Sequence, residues 1–289
     1  MKDVIQKATG MIEALPYIQK FRGETVVVKF GGSIMESVEG YRKILEDAAF
    51  MEVIGMRPVI VHGGGKAISR ALAEQDIPSK FVRGLRVTDE ATVQVVEKVL
   101  NQQVNPEIVN VLQSFQCAGR GIHGEDIMRA VKHRETDDEG HELNWGFVGN
   151  VEHVDTAPIQ AYLRADIAPV ITPLGRGADG QVYNINADEA AASIACALRA
   201  RKLVFLSDVP GLLKNPSDPE SLISTVRASE VDKLVEDGTI SGGMLPKLQG
   251  ALKALHMGVR KVHIIDASLP HSLLLELFTD EGVGTEIIP

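Results

Sequence analysis

A chain of 289 residues, 44% hydrophobic and 24% charged, has room for a large buried core, so disordered and collagen-like classes drop out and one large α/β unit or two lobes are expected. Its net charge of −9 argues against a nucleic-acid surface as main partner, because phosphate backbones select basic faces. Cys117 and Cys196 share no CxxC spacing, no apolar run reaches bilayer length and no secretory pattern opens the chain, so neither disulfide framework, zinc site nor membrane anchor is expected and the cytoplasm is the natural compartment.

Residues 1–22 place Val4, Ile5, Ala8, Met11, Ile12, Leu15, Ile18 and Phe21 mainly three and four apart, which predicts an amphipathic helix. Pro16 is expected to kink or divide it. Its apolar stripe can pack on the body or on another subunit. Next, Val26-Val27-Val28-Lys29-Phe30-Gly31-Gly32-Ser33 reads as a buried strand whose tip opens into a site, or as an ordinary strand followed by a glycine turn with a solvated lysine. Glycines let backbone N–H groups approach an anion, and the lysine adds positive charge, so phosphate is the obvious ligand. A helix over 38–55 leads to a second buried strand, Pro58–His62, which again runs into glycines, Gly63-Gly64-Gly65. In parallel α/β sheets ligands gather beyond the carboxyl ends of strands, so the two loops are expected to face one crevice.

Residues 66–75 and 89–115 are helical in pattern, and between them the extended segment Gly84-Leu85-Arg86-Val87-Thr88 offers Arg86 as a bidentate clamp for a carboxylate, or as a surface residue. Residues 117–150 read as short strands and hairpins with a turn at Asp137-Asp138-Glu139-Gly140. His123, His133 and His141 share no ligand spacing and are read as solvated loop residues, so no metal site is predicted. A helix over 156–165 precedes a third buried strand, 168–173, and a lobe boundary is placed where the character changes, between Gly175 and Gly180.

A strand over 181–185 is followed by an alanine-rich helix to about residue 199, capped by Asn186 or Asp188. Strand 202–206 delivers Ser207-Asp208-Val209-Pro210-Gly211 at its tip. Helices are predicted over 228–237 and 245–257, the second entered through Ser241-Gly242-Gly243-Met244. Lys247 falls in its first turn, where a positive charge opposes the helix dipole; a bound anion resolves the conflict, or the lysine is solvent-exposed at little cost. A last central strand, 262–265, and a helix over 270–278 bring the chain to Glu281-Gly282-Val283-Gly284-Thr285.

Familiar nucleotide motifs fail their context tests. Gly119–Gly124 and Gly175–Gly180 fit GxGxxG, but the first follows a helix and the second leads into another strand. Gly63-Gly64-Gly65-Lys66 lacks the first glycine of a P-loop, and Ala67 stands where a hydroxyl should hold magnesium.

In their order, Lys29-Phe30-Gly31-Gly32-Ser33, His62-Gly63-Gly64-Gly65, Gly84–Thr88, Gly146-Phe147-Val148-Gly149, Asn184-Ile185-Asn186-Ala187-Asp188, Leu206–Gly211 and Gly242–Lys247 resemble the amino acid kinase family over nearly the whole chain. Within it they are similar to the branch that acts on N-acetyl-L-glutamate. The resemblance implies an open, mainly parallel sheet sandwiched by helices, in two lobes plus an N-terminal helix: residues 1–22 for oligomerisation and regulation, 23–175 for the amino acid, 176–289 for ATP. The implied reaction is ATP-dependent phosphorylation of the side-chain carboxylate of N-acetyl-L-glutamate, the second step of arginine biosynthesis, with Mg2+ held mainly by the nucleotide phosphates. By the same resemblance Lys29 and Lys247 approach the transferring phosphoryl from opposite lobes and Asp188 holds both. Gly64, Gly65, Arg86 and Asn184 bind the amino acid, while Gly31, Gly32, Asp208, Gly211, Leu213, Ser241 and Met244 line the nucleotide site.

The stretch Glu13–Phe21 is similar to the mobile helix of arginine-inhibited members, in which such helices interlace dimers into a hexamer. Arginine is then expected between Tyr17 and the group His263, Glu281 and Gly284. Lys66, where proline is common, and Glu286, where methionine often stands, depart from the family pattern. A sister kinase acting on carrier-bound aminoadipate and a non-catalytic amino-acid sensor are the alternatives. Arg86 as the clamp of a free α-carboxylate, and Lys29, Asp188 and Lys247 together, weigh against them.

Overall fold

The computed structural model describes residues 2–137, 139–215, 217–240, 244–279 and 282–289. The chain opens with α1 (Lys2–Phe21), β1 (Thr25–Phe30), a 3-10 turn (Gly32–Glu36), α2 (Val38–Val53), β2 (Arg57–His62), α3 (Gly65–Ala73), β3 (Phe81–Val82) and β4 (Leu85–Arg86). α4 (Glu90–Val99), a π-helical turn (Leu100–Val104) and α5 (Asn105–Ser114) follow without a break. Next come β5 (Gly119–Ile122), β6 (Met128–Lys132), β7 (Val148–Val154), α6 (Ala157–Arg164), β8 (Ala168–Ile171), β9 (Leu174–Gly177) and β10 (Val182–Ile185). The last part holds α7 (Ala187–Ala197), β11 (Lys202–Ser207), β12 (Thr225–Arg227), α8 (Val231–Glu236), α9 (Met244–His256), β13 (Val262–Asp266), α10 (Ser272–Phe278) and β14 (Thr285–Ile288).

The large sheet has the order β12-β14-β13-β11-β1-β2-β8-β5 and is parallel except where β14 pairs with β13. It is the mainly parallel, helix-covered sheet that the sequence predicts. β1 lies in its interior, so its residues are buried on both faces, which is why it reads as a continuous β-branched run rather than an alternation. The two faces feed separate cores. Val26, Val28 and Phe30 pack towards α2, α4 and α5, while Val27 packs towards α7 and α9. Successive side chains of a strand alternate, so Lys29 shares the face of Val27 and is aimed at α7 and α9.

A small closed barrel of β10-β7-β6-β9 stands beside the sheet, and β3 and β4 form a separate hairpin. The hairpin turns on Arg83 (φ 46°) and Gly84 (φ 81°), the successive left-handed residues of the two-residue turn that matches strand twist. Arg83 pairs with Glu135 beyond β6, tying the hairpin to the barrel side.

α1 is one uninterrupted helix through Pro16, so the division predicted there does not occur. The carbonyl that proline deprives of a partner belongs to Ile12, an exposed residue, where water can replace the bond. The end of α1 is seated by aromatic edges, with Tyr17, Phe21 and Phe50 at 6.5, 6.3 and 6.3 Å from the ring of Phe278 on α10. Ile5, Ile12 and Leu15 remain exposed. No helix among the described residues is long and apolar enough to cross a membrane.

Candidate active site

Lys29 stands one residue before the end of β1, in register with Val61 of β2 and Phe205 of β11. Asp188 lies in the first turn of α7. Asn186 caps that helix, its side-chain oxygen accepting from the amides of Asp188 and Glu189 at 2.8 and 3.3 Å. Ala190, Ala191, Ala192 and Ala195 of α7 are buried and let the helix lie close on β1 and α9. Asp188 thereby meets both lysines: Lys29 Nζ is 2.6 Å from Oδ1, and Lys247 Nζ, from the first turn of α9, is 3.1 Å from Oδ2.

Burial depresses the Lys29 pKa below its ordinary value, with Lys247 adding to the effect and Asp188 opposing it. For Asp188, burial alone favours the neutral acid, but the attraction of Lys29 and Lys247 outweighs it and holds the carboxyl below its usual range. Asp188 also answers the electrostatic oddity of a lysine at a helix N-terminus, because the carboxylate rather than a ligand alone neutralises Lys247. The cluster is cationic overall, two ammonium groups around one carboxylate.

The two glycine loops meet beside it. Gly63 N donates to Phe30 O at 2.8 Å, and a Cβ at Gly31 would stand 3.4 Å from both Gly63 Cα and Lys29 Nζ. Gly32 (φ 69°) faces open space. Gly64 precedes α3, whose first residue is Gly65, so free helix N-terminal amides lie at this point. Asp208, beyond the tip of β11, receives Ser33 Oγ at 3.4 Å and is close enough to Lys29 to raise its pKa.

A cavity of about 170 Å³ opens between the second glycine loop, the hairpin and the barrel, lined by Gly64, Gly65, Arg86, Leu100 and Asn184 among others. All four predicted substrate residues are thus brought together. Arg86 is buried rather than on the surface: its guanidinium donates to Gly65 O at 2.9 Å, to Ser69 Oγ at 2.8 Å and to Ser79 Oγ, and lies 4.5 Å over the Phe81 ring. These oxygens are neutral, and no ion pair to Arg86 occurs among the described residues. A buried cation held only by neutral oxygens keeps its charge uncompensated and can pair with an anion. Asn184 Nδ2 donates to Thr88 Oγ1 at 3.2 Å. A larger crevice of about 800 Å³ runs past Asp188, between the hairpin and α9. Glu189 knits its walls, accepting from Asn150 at 2.8 Å and from Val151 N at 3.0 Å, with Lys253 3.8 Å away.

The other predicted nucleotide residues are more dispersed. Gly211 (φ 145°) packs on Thr285, where any Cβ would come within 2.5 Å of the hydroxyl; Leu213 bridges to Leu222; Met244 opens α9, half-buried against the core. Ser241 lies outside the described residues, as do Gly242 and Gly243 of its motif. Among the described residues no group of three His, Cys, Asp or Glu side chains converges as a cation cage.

A third cavity, of about 510 Å³, joins Tyr17 of α1 to His263, Gly284, Lys202 and Glu286. Three of the four predicted effector residues therefore meet, and the fourth, Glu281, lies outside the described residues. His263 Nδ1 is 2.5 Å from Glu276 Oε1, and the amides of Val283 and Gly284 donate to Glu276 Oε2 at 2.8 and 3.1 Å. Burial lowers the Lys202 pKa to about 8, with Glu286 opposing.

Sequence reasoning missed Ser69, Ser79 and Phe81 around Arg86, which carry no motif. It also misjudged His133. That ring is mostly covered, bonds to Asn150 Oδ1 at 2.8 Å and meets buried Trp145 edge-on, whereas His123 and His141 are exposed as predicted. Lys66 pairs with Glu36 at 3.0 Å on the surface.

A profile described as the Amino acid kinase family matches residues 24–266. An acetylglutamate kinase of Akkermansia muciniphila is 45% identical over 286 residues, covering 99% of this chain and 96% of that one. The solved N-acetylglutamate synthase from Neisseria gonorrhoeae, complexed with coenzyme A and N-acetyl-glutamate, superposes with a TM-score of 0.81 at 29% identity, over 98% of this chain and 63% of the synthase. The same synthase complexed with coenzyme A and L-arginine gives 0.78 at 29% identity, over 97% of this chain and 65% of the synthase.

Proposed function

The chain belongs to the amino acid kinase family, and we propose that it transfers the γ-phosphoryl group of ATP to the side-chain carboxylate of N-acetyl-L-glutamate, a step of arginine biosynthesis. The observation that carries this reading is a buried Arg86, with no carboxylate paired to it among the described residues, in a small cavity beside the Lys29–Asp188–Lys247 cluster. A glutamate-type carboxylate has a pKa near 4 and is already ionised at neutral pH, so its attack needs no general base. It needs neutralisation, because an anion attacks a polyanion. Arg86 and Asn184 hold the amino acid by its α-carboxylate end, which leaves the side-chain carboxylate to reach the lysines. Lys29 and Lys247 stabilise the charge spread over the transferring phosphoryl, and the amides around Gly32, Gly64 and Gly65 take its remaining oxygens.

ATP occupies the side of Asp208, Gly211, Leu213 and Met244. Mg2+ would ride mainly on the nucleotide phosphates, where it would offset their charge. Residues 23–175 then act as the amino-acid lobe and 176–289 as the nucleotide lobe, in a cytoplasmic enzyme. Trapping the acyl phosphate with hydroxylamine tests the reading: N-acetyl-L-glutamate is expected to turn over well above N-acetylaspartate or glutamate. Equal turnover of free glutamate would remove it.

Regulation by arginine is the second part of the proposal, favoured by the cavity that joins Tyr17 to His263 and Gly284. Arginine bound there would couple α1 to the carboxyl-terminal strands. The exposed Ile5, Ile12 and Leu15 supply an apolar stripe for pairing α1 with a neighbouring subunit in a hexamer.

A further inference from the structure

His62 closes β2 immediately before Gly63-Gly64-Gly65 and is fully buried, yet it takes no part in the chemistry above. Its Nδ1 lies 2.8 Å from the carbonyl oxygen of Gly63, and its Nε2 lies 3.0 Å from Asn105 Nδ2. A carbonyl oxygen only accepts, so Nδ1 carries the proton. Asn105 Nδ2 also donates to Val170 O at 2.9 Å, which identifies the facing atom as the amide nitrogen, so Nε2 accepts. One neutral tautomer satisfies every contact. Burial acts in the same sense, bringing the pKa of the ring down to about 4.

Asn105 begins α5 directly after the π-helical turn, a rare geometry that clusters at functional sites. The same turn sets Leu100 against the glycine loop, where a Cβ at Gly64 would stand 2.5 Å from Leu100 Cδ2. Room for the Asn105 amide comes from Gly121, where a Cβ would lie 2.2 Å from its oxygen. The back of the loop is therefore braced twice, through Leu100 on Gly64 and through Asn105 and His62 on Gly63.

We propose that His62, held by Asn105 as the Nδ1–H tautomer, is a positioning residue that pins the Gly63 carbonyl and so aims the amides of Gly64 and Gly65 into the substrate cavity. The idea rests on the reading of that loop as part of the substrate site. It makes His62→Asn and His62→Gln unequal, although both remove the same ring. Asparagine puts its amide near the place of Nδ1 and keeps a donor for Gly63; glutamine reaches the place of Nε2 and leaves that carbonyl without one.

The test combines kcat/KM for N-acetyl-L-glutamate in both variants with ring nitrogen shifts of the ¹⁵N-histidine-labelled chain and with backbone order parameters of Gly64 and Gly65 in the uniformly ¹⁵N-labelled chain, the two spectroscopic readings made without substrate. The expected result is a neutral Nδ1–H ring, a loss of under about 10-fold for asparagine and of about 100-fold for glutamine, with Gly64 and Gly65 rigid in the native and asparagine chains and mobile in the glutamine variant alone. Equal losses in the two variants, or a ring protonated at Nε2 in the native chain, would overturn it. If neither variant folds, the tautomer and the native glycine order parameters still decide: an Nε2–H ring or a mobile Gly64–Gly65 segment refutes it. A native chain that leaves N-acetyl-L-glutamate untouched refutes the substrate reading instead, while the ring and order-parameter measurements judge His62 separately.

Discussion

Replacing Asp188 by Asn removes one negative charge and leaves its shape nearly unchanged. The side chain is 13% exposed and touches two ammonium groups at 2.6 and 3.1 Å, whose own exposures are 9% and 18%. Breaking such a buried pairing costs about 3–5 kcal/mol, because the surviving charges remain out of water. Lys29 can limit that cost by shedding its proton: burial and Lys247 already depress its pKa, and Asp188 is the main influence opposing them. The sign of the pH effects follows. Asp188 has a depressed folded-state pKa, so its contribution to stability is present above its ordinary value of 3.8 and is lost as pH falls through the folded-state value. That acid-side dependence should vanish in Asp188→Asn. The kcat profile should move on its alkaline side, since the proposed role of Lys29 requires its charge and the lysine will deprotonate at lower pH in the variant. Urea unfolding from pH 3 to 8, with hydroxamate-trapped turnover from pH 6 to 10, reads both. Unchanged stability together with an unmoved alkaline limb would refute the reasoning.

Other substitutions separate the neighbouring roles. Arg86→Ala should raise KM for the amino acid about 10- to 100-fold, the worth of a charged hydrogen-bond pair, and change kcat less; initial rates against substrate concentration check it. Removing residues 1–22 should weaken both arginine inhibition and hexamer assembly, read by activity and by sedimentation, and an arginine response unchanged in the truncated chain would exclude the α1 site. Glu125 is buried with Asn101 Nδ2 donating to Oε1 at 2.6 Å, while Glu125 Oε2 and Asn101 Oδ1 find no partner. Burial raises its pKa above 4.5, so the native chain loses stability as pH rises from that value through the folded-state one, and Glu125→Gln, which can donate to Asn101, should remove that loss in unfolding curves taken from pH 4 to 8.

Much of the fold was legible because its central strands are buried on both faces and end in glycines. The runs at Val26–Phe30 and Pro58–His62 announce parallel strands and place two loops at one edge, and β1 and β2 are indeed adjacent and parallel. Lys29, Asp188 and Lys247 were legible only as parts of an ordered set of motifs; nothing local says that residues 159 and 59 positions apart meet on one carboxylate. Arg86 is ambiguous by itself, because the serines that bury it come from α3 and from the loop before β3. The π-helical turn was invisible for another reason. One extra residue in a turn barely disturbs the apolar period over 89–115, so the segment reads as one ordinary helix, while its consequence is the meeting of Leu100 and Asn105 with the glycine loop. Pro16 misled in the opposite direction, since its lost bond falls on an exposed turn.

The claim on which the rest depends is that two lysines from distant parts of the chain, joined by one carboxylate, act together on a phosphoryl group passing to N-acetyl-L-glutamate. Its most direct test is hydroxamate-trapped turnover of that substrate by Lys29→Ala beside the native chain, under saturating ATP. The account predicts a folded variant whose kcat is lower by about 10² to 10³, the size of one lost transition-state donor. Turnover near the native rate would contradict it.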